Sequence, residues 1–191
     1  NADKEVASSD YTATGSIIST TGRDWSTTPI EFDNVKTSID VSVPDASKIS
    51  VGDTITFVTK NNVELYTGKI VDAATGKHIA NVACVSGGAN LWEFKSDPNS
   101  SAYNPEFETL SSEKVAVDRT YLLTFVDGIA DLDSTNFSMK REYVHRTAIL
   151  TEDYKGTTMP LTVNVGGNDI ISSSALNSTS PLLPKGTYSP D

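Results

Sequence analysis

The densest group of carboxylates in this sequence lies in Asp127-Gly128-Ile129-Ala130-Asp131-Leu132-Asp133. A hard cation such as calcium wants several oxygen ligands close together, and Asp131 and Asp133 would supply two of them. An EF-hand loop also needs a Gly at its sharp turn and a bidentate Glu at its end, and neither is in register here. The other reading of the same residues is a polar turn capping a short helical segment between two strands. A second group of candidates is aromatic. Trp25 sits in the polar, loop-like stretch Gly22-Arg23-Asp24-Trp25-Ser26, whereas Trp92 lies in the apolar run Leu91-Trp92-Glu93-Phe94. Arg and aromatic side chains carry much of the binding energy at protein contacts. Arg23 and Trp25, with Tyr103 in the polar connection 96–104, are therefore the candidate ligand-binding residues. That reading expects Trp25 and Tyr103 to be at least partly exposed; the competing one packs Trp25 against the body of the domain.

Catalytic signatures are sparse. The single Cys84 is flanked by Val82, Ala83 and Val85, the setting of a small buried hydrophobe in a strand. As a nucleophile it would need a neighbouring base, and the chain has only two histidines, His78 and His145. The sequence holds no Gly-x-Ser-x-Gly elbow, phosphate loop or His-Glu-x-x-His pair. Carboxylates are abundant, so a glycosidase-like pair is the enzymatic alternative. The expectation is a domain without catalysis and without a cofactor, calcium at Asp131 and Asp133 being the one alternative. A net charge of -10 and a sequence pI of about 4.6, with no run of Lys or Arg, argue against nucleic acid as a partner and against direct insertion into a membrane.

Short alternating runs are the elements that must position these residues. Ile39, Val41 and Val43 alternate with Asp40 and Ser42, and Ile55 and Phe57 alternate with Thr54 and Thr56. Further runs cover residues 64–71, 78–85, 115–126, 137–150 and 161–165. Turn chemistry separates them at Val51-Gly52-Asp53, Lys60-Asn61-Asn62, Thr75-Gly76, Ser86-Gly87-Gly88, Asp127-Gly128 and Gly166-Gly167-Asn168. No segment of helical length keeps a 3.6-residue apolar period; single helical turns are expected at 130–133 or around 108–114. The pattern predicts an all-β chain, an antiparallel two-sheet β-sandwich. Composition divides it into a flexible N-terminal segment 1–15, the sandwich 16–171, and a Ser/Pro-rich linker or tail 172–191.

Two stretches resemble a known family. Lys48-Ile49-Ser50-Val51-Gly52-Asp53-Thr54-Ile55-Thr56-Phe57 is similar to the Gly-Asp-then-strand segment of Gram-positive wall-anchored adhesins. The segment from Tyr121-Leu122-Leu123-Thr124-Phe125-Val126-Asp127-Gly128 to Phe137-Ser138-Met139 resembles the later strand, Asp turn, short helical connection and strand of their collagen- and fibrinogen-binding domains. The resemblance, spanning about residues 35–168, implies a variant immunoglobulin-like fold. It also implies an extracellular protein attached to the bacterial cell wall. Its partners would be a host extracellular-matrix protein or glycan and the adjacent domains of the same surface protein. Some members carry internal thioester or Thr–Gln ester bonds, which this chain cannot form because it contains no Gln. A Lys–Asn isopeptide bond would need a Lys, an Asn and an acid buried together. Lys36 with Asn164 or Asn168 is the candidate set, against ordinary exposed residues. Two functional alternatives stay open: a structural stalk or pilin-like module, and a carbohydrate-active enzyme or accessory lectin domain.

Overall fold

The structure is a computed structural model and describes residues 3–87, 114–115, 117–146, 148–149 and 156–177. Eleven strands run through it: β1 (Thr12–Ser19), β2 (Asn34–Val43), β3 (Thr54–Thr59), β4 (Gly68–Val71), β5 (His78–Ser86), β6 (Lys114–Val115), β7 (Arg119–Phe125), β8 (Thr135–Val144), β9 (Ala148–Ile149), β10 (Thr158–Val165) and β11 (Asn168–Leu176). Among the described residues there is no α-helix. Three short 3-10 turns occur, at Ser8–Asp10, Ala46–Lys48 and Asp127–Asp131. The last of these sits in the acidic stretch between β7 and β8, where a helical turn was expected.

The strands build one sheet of order β1-β2-β8 and a second of order β11-β10-β3-β7-β5-β4, with β6 and β9 paired separately. All strand pairings are antiparallel. The two main sheets share one core, and one of them curls into a half-barrel. Strand side chains alternate between faces with a period of two, so a buried face shows as every second residue. In β2 that face is Val35, Thr37, Ile39, Val41 and Val43; in β7 it is Arg119, Tyr121, Leu123 and Phe125. The sheets meet where Phe125 of β7 stands edge-on to Phe137 of β8, ring centroids 6.3 Å apart and planes at 77°.

Two glycine positions shape the closure. Gly166 and Gly167 join β10 to β11 with φ of 59° and 87°, the two successive left-handed residues of a tight hairpin. Gly15 of β1 lies against β11 so closely that a Cβ there would stand 2.7 Å from Ile171.

The expected domain limits are corrected at both ends. Residues 1–15 are polar in sequence, yet much of that stretch belongs to the body of the fold. Val6 and Tyr11 are buried, and Val6 N–H donates to the Thr54 carbonyl at 2.8 Å. The Glu5 carboxylate accepts from the Thr56 N–H and hydroxyl, and β1 begins at Thr12. Two buried apolar anchors and a run of tethers hold a segment that composition alone marks as loose. At the other end β11 continues past residue 171: Ala175 is buried, and the Asn177 amide donates to the Thr157 hydroxyl at 2.9 Å. The run at 64–71 also shortens to β4, because residues 63–65 are held by side chains instead of a ladder, as described below. Residues 91–94 and 108–113 fall outside the described residues.

Asp53, in the Gly-Asp turn, is the main polar fastener of the N-terminal segment. Its buried carboxylate accepts from the Ser50 N–H at 2.8 Å and the Lys4 N–H at 3.3 Å, and it pairs with the Lys4 ammonium at 3.3 Å. Burial opposes its charge, but these donors outweigh that and hold the carboxyl below its ordinary value. Asp53→Ala leaves those N–H groups without their acceptor and is expected to destabilise by about 2–4 kcal/mol in urea unfolding at pH 7. Because the folded-state pKa is depressed, the wild-type advantage is present above the unfolded value and is lost as pH falls below 3.8, through the folded one.

Candidate functional site

The inward face of β7 changes character along its length. Tyr121, Leu123 and Phe125 lie in the shared core, while Arg119, in the same phase, lies at the end of the sandwich where the strand begins. On the facing sheet β8 does the same: Phe137 and Met139 are buried, and Arg141 and Tyr143 follow in phase. Strand parity therefore buries Arg119 and sets the exposed Arg141 in the same phase as the buried residues of β8.

The β3–β4 connection crosses this end and is fixed by side chains. Asn61 and Asn62 both adopt left-handed backbone, with φ of 56° and 68°. Asn62 is stitched to the start of β7: its N–H donates to the Val117 carbonyl at 2.7 Å, and its Oδ1 accepts from the Val117 N–H at 2.9 Å. Its Nδ2 donates to the Arg146 carbonyl beyond β8. The Asn61 amide reaches the Pro160 carbonyl of β10 at 2.7 Å. The buried Thr59 hydroxyl donates to the Val63 carbonyl at 2.8 Å, and Thr37 donates to the Glu64 carbonyl at 2.7 Å. These bonds satisfy carbonyls that have no ladder partner.

What remains between the sheets is a concavity of about 350 Å³. Among the described residues it is lined by Arg119, Arg141 and Arg146, with Glu64, Thr67 and Cys84 among the rest. The arginines differ in state. Arg141 is half exposed and pairs with Glu64 at 3.1 Å. Arg119 is 7% exposed, and its Nη1 is buried without a hydrogen-bond partner. Behind it, His145 is fully buried and in hydrogen-bond contact with the Tyr143 hydroxyl, Oη to Nδ1 3.1 Å. Burial, reinforced by the Arg119 charge, pushes the His145 ring down to about 4. Burial also raises the Tyr121 and Tyr143 phenols. At neutral pH Arg119 and Tyr121 thus line the concavity as a guanidinium and a neutral phenol, with the neutral His145 and Tyr143 buried behind its lining. The guanidinium suits an anion; among the described residues the lining nucleophile, Cys84, has its Sγ directed to the Ser86 carbonyl at 3.2 Å.

The residues singled out from sequence lie elsewhere. Trp25, expected to be exposed, is a core residue at 9% exposure, which corrects its assignment to a binding surface. Its indole N–H donates to Asp33 at 2.8 Å, and its carbonyl accepts from the Leu176 N–H. Arg23 spans the same loop, donating to the Pro29 and Glu31 carbonyls and lying 3.8 Å from Asp33. A polar loop sequence hid an apolar anchor because Asp33 satisfies the polar edge of the ring. Tyr103 falls outside the described residues. Asp131 pairs with Lys77 at 2.9 Å, and among the described residues no cluster of three metal-ligating side chains includes it or Asp133. The isopeptide set is not assembled. Lys36 lies on the outward phase of β2, Asn164 on the outward phase of β10, and Asn168 is exposed, so the two lie on opposite outer surfaces of the sandwich. Asn164 donates instead to Asp169 at 3.2 Å. No family model and no curated protein matches the chain.

Two measurements check this description. Trp25→Ala empties a core position and removes one of the donors to Asp33, so it is expected to cost about 3–5 kcal/mol of stability in chemical denaturation. In a proton NMR titration the His145 ring is expected to remain neutral at pH 5 and to protonate near 4. Since the folded value lies below the unfolded 6.5, the unfolded chain binds the extra proton between them, so stability from this group falls as pH drops from 6.5 toward 4.

Proposed function

We propose that this chain is a non-catalytic recognition domain of a bacterial surface adhesin, a variant immunoglobulin-like sandwich held outside the cell on the wall. It engages a host matrix protein or glycan. The observation that carries the reading is the polar, arginine-lined concavity at one end of the sandwich, in a chain whose net charge is -10. Positive charge concentrated in one hollow of an acidic molecule attracts a negatively charged group there while the rest of the surface repels other polyanions. The adhesin assignment draws on the resemblance of residues 48–57 and 121–139, whose Gly-Asp turn and Asp turn lie just before β3 and just after β7 in one sheet. The absence of catalysis is inferred from the sparse catalytic signatures of the sequence and because, among the described residues, no nucleophile is paired with a base at the concavity.

The test is a panel of immobilised matrix proteins and glycans probed with the full chain. Saturable binding to at least one member, with no turnover of it, is the expected result. Binding to no member overturns the recognition reading in favour of a stalk module, and hydrolysis abolished by changing one carboxylate overturns the non-catalytic one.

A further inference from the structure

We infer that β1 is a self-association edge, pairing antiparallel with β1 of a second copy of this chain about a two-fold axis at Ser16. Among the described residues β1 pairs on one side only, with β2, at the end of its sheet. In an antiparallel pair the N–H and C=O of one residue point to the same side, and successive residues alternate. The Thr20 N–H donates to the Asn34 carbonyl one step beyond the β1–β2 register, so the even-numbered residues of β1 face β2. The backbone groups of Ala13, Gly15, Ile17 and Ser19 therefore face away, and among the described residues no backbone bond reaches them.

A free strand edge invites another strand, and proteins guard such edges with charge, shortness, bulges or a covering loop. The other outer strands of the two main sheets carry these guards. β8 has Lys140, Arg141 and Glu142, all exposed. β4 is four residues long, holds Lys69 and breaks register at Ile70/Val71. β11 shifts register against β10, carries Asp169, and has its Leu176 N–H and carbonyl taken by Trp25 and Ile30. β1 has none of them: it is eight residues in unbroken register, without charge or proline. A groove of about 520 Å³ runs beside residues 12–15, between β1 and the start of β11, and leaves space for an added strand.

The phase of β1 makes a second copy the fitting strand. Its four outward residues are spaced evenly about Ser16. A two-fold axis there sets Ala13 opposite Ser19 of the second copy and Gly15 opposite Ile17 of the second copy, so every outward backbone group of both strands gains a partner. On the solvent face Thr14 comes opposite Ile18 of the second copy, a β-branched pair that covers part of an isoleucine 51% exposed in the single chain. The paired strands themselves bring no charges together. The net charge of -10 opposes the approach of two copies at long range, and salt screens that repulsion without removing backbone hydrogen bonds. This pairing goes beyond the recognition reading and needs no host ligand.

Sedimentation velocity of the full chain over a range of concentrations is expected to show a reversible monomer–dimer equilibrium that strengthens with added salt. In amide NMR spectra the Ala13, Gly15, Ile17 and Ser19 signals are expected to shift with protein concentration, their exchange with solvent slowing as dimer forms. Ser16 is exposed, so Ser16→Lys leaves the fold intact while placing two ammonium groups opposite each other, and it is expected to weaken dimerisation about fivefold. Ser16→Glu is expected to do the same, and an equimolar mixture of the two variants to recover the wild-type affinity or better. A chain that stays monomeric at every concentration overturns the proposal, including one whose β1 edge takes up an added foreign peptide. So do concentration-dependent shifts confined to β4, β8 or β11, open-ended assembly in place of a dimer, association that salt weakens, or failure of the mixed variants to recover.

Discussion

The contact that the rest of the structure depends on is the one between the inward faces of β7 and β8. Phe125 stands against Phe137 at one end of that contact, and β3 and β2 extend it on either side. Because successive side chains alternate, the phase that buries Leu123 and Phe125 must also point Arg119 and Tyr121 inward. A slip of one residue would turn the whole apolar set outward, so the register is held by the core and the arginine has no independent choice of face. The site is in this sense a by-product of packing: the core fills one end of the interior with aromatic and aliphatic side chains, and the same strands deliver guanidinium groups to the other.

A consequence is that the interior tolerates polarity only where it is tethered. Asp33 accepts from the Trp25 indole and the Thr21 hydroxyl, and Asp72 accepts from Thr75 and from the buried Thr135 hydroxyl. At Asp72 those hydroxyl donors, and at Asp33 several donors together against the opposing effect of burial, hold the carboxyl below the ordinary range. Asp33 fastens the 20–33 loop, and Asp72 ties the short β4–β5 turn to β8 in the other sheet. Asp53 plays the same part for the N-terminal segment. The three carboxylates are acceptors of the kind that make a loop part of the core, since a buried acceptor met by several N–H and O–H donors is stable where an unmet one is not. Against that background Arg119 Nη1, like the Tyr11 hydroxyl and His145 Nε2, is a buried polar atom left without such a partner.

The long connections of the sandwich follow the same rule. The 20–33 loop looks free in sequence but is fastened by Trp25 inside and by Arg23 outside, and it closes against the end of β11 through the Leu176 N–H. The 61–65 connection carries no ladder of its own: its Asn61 and Asn62 side chains bond to Pro160 and Val117, and the Thr37 and Thr59 hydroxyls donate to its Glu64 and Val63 carbonyls. Recognition in sandwiches is commonly left to loops; the 20–33 and 61–65 connections are instead consumed in closing the fold, and the recess lies between the sheets.

Period-two alternation, β-branched residues and Gly- or Asn-containing turns are local properties, and they were enough to determine the all-β class and most of the interior strands, but not β1 or β11; the helical turn expected at 130–133 lies slightly earlier, at Asp127–Asp131. Local properties also marked Asn61-Asn62 and Gly166-Gly167 as turns, because left-handed backbone has few tolerant residues. The candidate site was not legible in the same way. An Arg in phase with buried residues, as at Arg119 and Arg141, was the available signal, but it becomes informative only once the inward face is known. Which strands neighbour which, that β7 and β8 face each other, and that Trp25 and Val6 are core while Lys36 and Asn164 lie on opposite outer faces, were decided by tertiary structure alone. Those facts depend on contacts between residues far apart in the chain, whose free energy comes from burying surfaces that no local stretch of sequence contains by itself.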